Sequence, residues 1–233
     1  MSFGGTPLFD GLELSLPAGR WSCLLGPSGV GKTSLLRLIA GLAPPGANAR
    51  VICSDGGTPA GRLAYMAQQD LLLPWLSVVQ NVVLGAALRG EPDRQERGCE
   101  LLARVGLDGW AEALPEALSG GMRQRAALAR TLMEDRPLVL MDEPFSALDV
   151  ITRHEIQALA AESLAEHTVL LVTHDPLEAL RLGHHIHIMA GQPATLTGVP
   201  VPDGAPPRRP ADATLIARQA ELLGRLAVAG ATT

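Results

Sequence analysis

The sequence predicts an α/β protein in which helices cover both faces of a largely parallel sheet. Apolar runs of strand length at 20–26 (RWSCLLG), 138–141 (LVLM) and 168–173 (TVLLVT) alternate with segments of helical periodicity. The first run enters the first helix through a glycine-rich turn. With 233 residues, 47% of them hydrophobic, the chain can bury a sizeable core.

The remaining elements follow in order. Residues 32–42 (KTSLLRLIAGL) read as a helix with Leu35, Leu36, Ile39 and Leu42 on one face. Residues 44–61 are turn-rich, with an edge strand expected at 49–53, and 62–68 (RLAYMAQ) is a further strand. From 70 to 134 the pattern is helical, with segments near 77–90, 92–106 and 119–134 broken by Gly90, Pro92, Gly106, Pro115 and the Gly120-Gly121 pair. This is a helical insert. A helix at 149–166, another at 176–182 and a strand pair at 185–190 and 193–199 complete the core. Residues 200–210 (PVPDGAPPRRP) form a proline-rich linker. A last amphipathic helix spans 211–229, its stripe of Leu215, Leu222, Leu223 and Leu226 interrupted by Gln219.

Composition narrows the function. The 24 acidic and 19 basic side chains leave a net charge of -5, which speaks against a nucleic-acid partner. Cys23, Cys53 and Cys99 are scattered and odd in number, as suits a reducing, cytoplasmic setting. The first twenty residues lack the pattern of a signal peptide, and no apolar run reaches the roughly 18 residues of a membrane span. Of the basic residues 18 are arginines, and Lys32 is the single lysine, which marks a place that needs a compact ammonium.

Lys32 falls in Gly26-Pro27-Ser28-Gly29-Val30-Gly31-Lys32-Thr33, followed by Ser34, between a strand and a helix. Glycines there let backbone N–H groups turn inward around a phosphate, and the helix N-terminus adds about half a positive charge. Lys32 would reach the β- and γ-phosphates and the Thr33 hydroxyl would ligate Mg²⁺. A second candidate anion site is Leu118-Ser119-Gly120-Gly121-Met122-Arg123-Gln124-Arg125, where Ser119 suits a helix N-cap and two glycines open the backbone. The run LVLMDEP at 138–144 buries a strand and delivers Asp142 and Glu143 at its end. The pattern His184-His185-x-His187 puts two histidines on one strand face, and reads as a solvated strand end rather than a metal site.

The second glycine motif resembles the signature sequence of ABC ATPases, the nucleotide-binding subunits of ATP-driven transporters, with Met122 where the family usually has glutamine. The other motifs follow in that family's order over residues 3–200. The resemblance implies a RecA-like P-loop core with a small antiparallel β subdomain and an inserted helical subdomain at about 70–134, the ATPase domain filling 1–200 and the linker and last helix 201–233.

It also implies roles. Asp142 would hold the Mg²⁺ shell, and Glu143 would orient and deprotonate the attacking water. His174 resembles the switch histidine, and Gln68, rather than its neighbour Gln69, the Q-loop glutamine that ligates Mg²⁺ and water. Asp149, in Ser146-Ala147-Leu148-Asp149, resembles the D-loop that crosses to a partner subunit. Phe3 lies at the spacing of the aromatic that stacks on adenine. Because each ATP of the family lies between the P-loop of one subunit and the signature of the other, a head-to-tail homodimer is implied, with Ser119, Gly120 and Gly121 capping the opposite γ-phosphate.

The segment Leu71-Leu72-Leu73-Pro74-Trp75 fits either the core of the insert or a groove for a helix of a membrane permease. Its wording is similar to importers of nitrate, sulfonate, taurine and, through AYMAQQDLLLPW, hydroxymethylpyrimidine, a thiamine precursor. The expectation is an ATPase on the inner face of the membrane, joined to a permease and indirectly to a solute-binding protein. An exporter ATPase, a soluble ABC ATPase and a nucleotide sensor are the alternatives.

Overall fold

The computed structural model describes residues 2–3, 6–43, 49–92, 94–209 and 212–231. Two short strands, β1 (Ser2–Phe3) and β2 (Thr6–Pro7), form an antiparallel pair. Six more strands make one sheet: β3 (Trp21–Leu25), β4 (Leu63–Met66), β5 (Leu138–Asp142), β6 (Thr168–Val172), β7 (His185–Ala190) and β8 (Thr195–Val199). Their order is β4-β5-β6-β3-β7-β8, and every pairing is parallel except that of β7 with β8. The fold is the α/β class that the sequence predicts, and its antiparallel part among the described residues is β1 with β2 and the edge strand β8.

Among the described residues seven α-helices accompany the strands: α1 (Lys32–Ile39), α2 (Val78–Leu88), α3 (Gln95–Arg104), α4 (Gly120–Met133), α5 (Val150–Ser163), α6 (Pro176–Leu182) and α7 (Ala213–Ala231). Side chains of a strand alternate between faces, so the central strands feed two cores. Cys23, Leu25, Met141 and Leu171 face the layer of α2 to α7, whereas Leu24, Leu140, Leu170 and Val172 face α1. Leu35, Leu36 and Ile39 of α1 close the second core, together with Leu12, Leu14 and Leu16. This double burial is why the strands read as unbroken apolar runs.

Three expectations are corrected. The helix predicted at 32–42 ends at Ile39, because Gly41 (φ 72) terminates it, with Leu42 N–H bonding back to the Arg37 carbonyl at 2.8 Å. No strand forms at 49–53: Cys53 is instead tied into a turn with Gly56 and Gly57, and Ile52 is 73% exposed. In α7 the buried stripe is Leu215, Leu222 and Ala229, with Leu226 partly covered, whereas Leu223 is 50% exposed. Two turns, seven residues, separate each buried position from the next, which leaves Leu223 around the edge.

The proline-rich segment before α7 is docked through a buried polar network. Arg208 donates to the carbonyls of Leu180 (2.7 Å) and Gly183 (2.8 Å), and Arg181 reaches back to the Arg208 carbonyl at 3.2 Å. Arg181 also donates to Gln157 Oε1, whose Nε2 donates to Glu178 Oε1 at 2.8 Å. Burial pushes the Glu178 carboxyl from 4.5 up to about 7.

The folded chain therefore retains a proton that the unfolded chain has released, so this group's contribution to stability falls as pH rises from 4.5 toward about 7. Glu178→Gln removes that titration. Denaturant unfolding is expected to show the variant gaining stability over the wild type at pH 8, by roughly 1–3 kcal/mol, with the difference shrinking at pH 5.

Candidate functional site

The ends of β3, β4 and β5 open onto a cleft of about 600 Å³. From the phosphate loop it is lined by Ser28, Gly29, Gly31, Lys32, Thr33 and Ser34, and from the facing strand ends by Asp142, Glu143 and Gln68. Gly26, at the head of the loop, lies so close to the neighbouring strand that a Cβ would overlap the Met189 carbonyl oxygen. Val30 is buried in the α1-side core and anchors the loop. Gly31 (φ 107) turns the chain into α1 in a left-handed conformation suited to glycine.

Lys32 is buried, and its Nζ donates to the carbonyls of Gly26 (2.7 Å) and Pro27 (2.8 Å), bracing the loop. Burial lowers the ammonium pKa, against the raising influence of Glu143 and Asp142. Across the cleft the Asp142 carboxyl is pushed up, first by burial and further by Glu143, while the Thr33 hydroxyl donates to it and lowers it. Asp142 Oδ2 is buried without a hydrogen-bond partner. A strand-end carboxylate with one free buried oxygen, beside a hydroxyl, is a donor set of the kind hard cations take.

Glu143 has φ 50, a left-handed conformation that costs a non-glycine residue on the order of 1–3 kcal/mol. The turn sends its carboxylate out of the strand direction into the cleft. Glu143 Oε2 lies 3.0 Å from His174 Nδ1 and 3.4 Å from Gln68 Nε2. Gln69 lines a neighbouring hollow instead, with Asp70 and Arg123.

Not every candidate converges here. Ser119, Gly120 and Gly121 are absent from the cleft lining; Ser119 caps α4, its hydroxyl accepting from Met122 N–H at 3.3 Å, and Gly120 borders the neighbouring hollow. Asp149 caps α5, accepting from the Ile151 and Thr152 N–H groups at 3.1 Å, and the Thr152 side chain, followed by these backbone bonds, holds its carboxyl below the ordinary range. The backbone of Phe3 lies in β1, and its side chain lies outside the described residues. His184 accepts from Trp21 N–H at 3.1 Å, and no metal-binding group of three ligands occurs among the described residues.

The structure adds residues that sequence reasoning passed over. Leu8 packs on Gly31 and, with Gln192 from the β7–β8 turn, borders the cleft. Buried Asn81 accepts from Leu73 N–H at 2.7 Å and donates to the carbonyls of Leu73, Leu76 and Ser77. Arg130 holds the carbonyls of Asp70 and Leu71. These clamps fix a rigid loop on which Leu71 (58%) and Trp75 (71%) stand exposed while Leu72 is buried. Their signal in the sequence is no more than a polar residue on an apolar helix face.

A phosphate cradle facing a carboxylate pair across the ends of parallel strands is the chemistry of P-loop nucleoside triphosphatases. Comparison with known proteins narrows that class. Residues 9–146 match the profile of the ABC transporter family. An ABC transporter ATP-binding protein of Haemophilus influenzae, itself uncharacterized, is 44% identical over 231 residues, 97% of this chain and 95% of its own. The aliphatic sulfonates import ATP-binding protein SsuB 1 of Rhodococcus jostii is 45% identical over 224 residues, 95% of this chain and 88% of its own. A solved dimer of the ATP-binding cassette MJ0796 in a post-hydrolysis state, bound to ADP and phosphate, superposes with a TM-score of 0.72 at 28% identity, covering 84% of this chain and 92% of that one. The chain belongs to the ABC transporter family, as an ATP-hydrolysing cassette.

The contact at Gly26 generates a stability prediction. Gly26→Ala is expected to lower the melting temperature, with a loss of about 2 kcal/mol or more from backbone overlap, and to weaken binding of a fluorescent ATP analogue at least tenfold.

Proposed function

We propose that this chain is the ATPase subunit of an importer, working as a head-to-tail homodimer on the cytoplasmic face of the membrane beneath a permease. One observation carries the reading. The cleft gathers Lys32, Thr33, Asp142 and Glu143, while the second phosphate-binding motif, Ser119 to Gly121, lies outside it in the same chain. A site with one half of its anion donors elsewhere is completed by a second copy, as the dimeric form of the MJ0796 cassette supports.

In this reading the backbone N–H groups of the loop from Gly26 to Ser34 hold the phosphate chain, and Lys32 bridges the β- and γ-phosphates. Phe3 would stack on adenine, and Leu8 and Gln192 border the cleft. Thr33, Asp142 and Gln68 would hold Mg²⁺, which neutralises phosphate charge when bound, and the free oxygen of Asp142 suits that ligation. Glu143 takes a proton from the attacking water as its oxygen bonds to the γ-phosphorus and the bond to ADP breaks; His174 holds the carboxylate from the other side. The opposite Ser119, Gly120 and Gly121 cap the γ-phosphate, and Asp149 of the D-loop lies at the crossing between the two chains. Closure assembles the site and product release opens it.

Import of an aliphatic sulfonate is the solute reading that the names of relatives support. AYMAQQDLLLPW favours hydroxymethylpyrimidine as a second reading. No helix of the described residues is long and apolar enough to cross a membrane, so the pathway would be supplied by the permease, fed by a solute-binding protein. Leu71 and Trp75, exposed on their clamped loop, form the apolar surface suited to a permease helix.

Two experiments test this. Glu143→Gln is expected to bind Mg-ATP normally, to hydrolyse it at least about a hundredfold more slowly, and to run as a dimer with ATP in size-exclusion chromatography. A variant that stayed monomeric and fully active would overturn the reading. Tagged chain is expected to co-purify with a permease from detergent extracts, and Trp75→Ser to abolish that recovery while ATP affinity stays within about twofold.

A further inference from the structure

We infer that Gln124 is the positioning residue for Glu143, fastening the catalytic turn and the start of the D-loop to the signature helix of the same chain. The inference rests on the proposed role of Glu143 as base. The left-handed conformation of Glu143 persists only where its surroundings fix it. Its N–H donates to the Val172 carbonyl at 2.9 Å, which ties it to β6. Its carbonyl accepts from Gln124 Nε2 at 3.1 Å and from Ser146 Oγ at 3.0 Å. Ser146 belongs to the same turn and moves with it. Among the described residues, Gln124 is the one group from another element that holds this carbonyl.

The same side chain holds the next loop. Gln124 Oε1 accepts from Ala147 N–H at 3.0 Å. Two opposite partners leave its amide a single orientation, with NH₂ toward Glu143 and oxygen toward Ala147. Gln124 is buried, and the start of α4 lies flat on this loop: a Cβ on Gly121 would sit 3.3 Å from the Ala147 carbonyl oxygen. A shift of α4, which begins with the signature residues, therefore pulls on the backbone of Glu143 and re-aims its carboxylate. Gln124 does not line the nucleotide cleft, so its effect falls on the hydrolytic step rather than on ATP binding.

The test uses the full chain with Mg-ATP. Gln124→Met fills the same volume and removes both bonds. It is expected to lower kcat on the order of 10-fold to 100-fold while KM stays within about threefold, with Glu143→Gln measured alongside. The double variant is expected to be no slower than Glu143→Gln alone, because Gln124 acts through that carboxylate. Gln124→Glu keeps both bonds when its carboxyl is protonated and loses the donor when it ionises. Its kcat is therefore expected to fall with rising pH where the wild type does not, a readout that holds even if the methionine variant folds poorly. A wild-type kcat in Gln124→Met, or a double variant slowed by the full factor of Gln124→Met beyond Glu143→Gln, would overturn the inference. A slow Glu143→Gln beside a fast Gln124→Met removes this inference alone; a fast Glu143→Gln removes the assigned base and this inference with it.

Discussion

The hydrogen-bonded placement of β6 between β3 and β5 sets the geometry on which the site depends. The phosphate loop leaves the end of β3 and the carboxylates leave the end of β5, two strands apart, so about 10 Å separates their origins at the usual strand spacing of near 4.8 Å. His174 follows β6 and stands in that gap. The ladder holds the spacing because each central strand is buried on both faces, its alternate side chains locked into separate cores. Sliding any one strand would turn apolar side chains against the wrong layer, so register is specified as firmly as packing.

Around that fixed base the chain stores local strain where it needs direction. Glu143 departs from strand geometry at the residue that must face the cleft, and Leu71 (φ 48) does the same at the head of the exposed loop. Both are held by side chains of other elements, Gln124 for one and Arg130 for the other, and both of these come from α4. Arg123 of the same helix pairs with Asp70 at 3.1 Å. One helix thus grips the loop that carries Trp75 and the turn that carries Glu143. Arginine suits the outer grips because its fork can hold two neighbouring carbonyls at once, as Arg130 does, which an ammonium cannot match in plane.

Sequence patterns reveal most of this where a residue's role is local. The apolar strands, the capped helices and the phosphate loop each follow from short-range rules, and Asp142 and Glu143 are legible at the end of a buried strand, whereas the roles of Gln68 and His174 come from the family resemblance of their motifs. The errors have a common origin. The expected strand at 49–53 satisfied local propensity and lacked a neighbour to pair with, and Leu223 counted as apolar without knowing which side of α7 would be covered. Asn81, Gln124 and Arg208 escaped notice because their partners are main-chain groups remote or unmarked in sequence, and a carbonyl leaves no trace in composition.

The electrostatics of the cleft support the proposed dimer. Lys32 is the one ammonium among two carboxylates, and burial acts against the charged form of both Lys32 and Asp142. Each therefore stabilises the other, and the cleft holds no surplus of positive charge to spend on a nucleotide. A triphosphate brings several negative charges toward Glu143 as well, so its γ end needs donors beyond the loop and α1. Backbone N–H groups at the start of a helix supply partial positive charge, and α4 presents such a start at Ser119, outside the lining of its own cleft. In the proposed dimer the second chain adds what the first lacks, and closure becomes dependent on the γ-phosphate because that group is what both halves share. Hydrolysis removes the shared group, and the attraction between the halves falls with it.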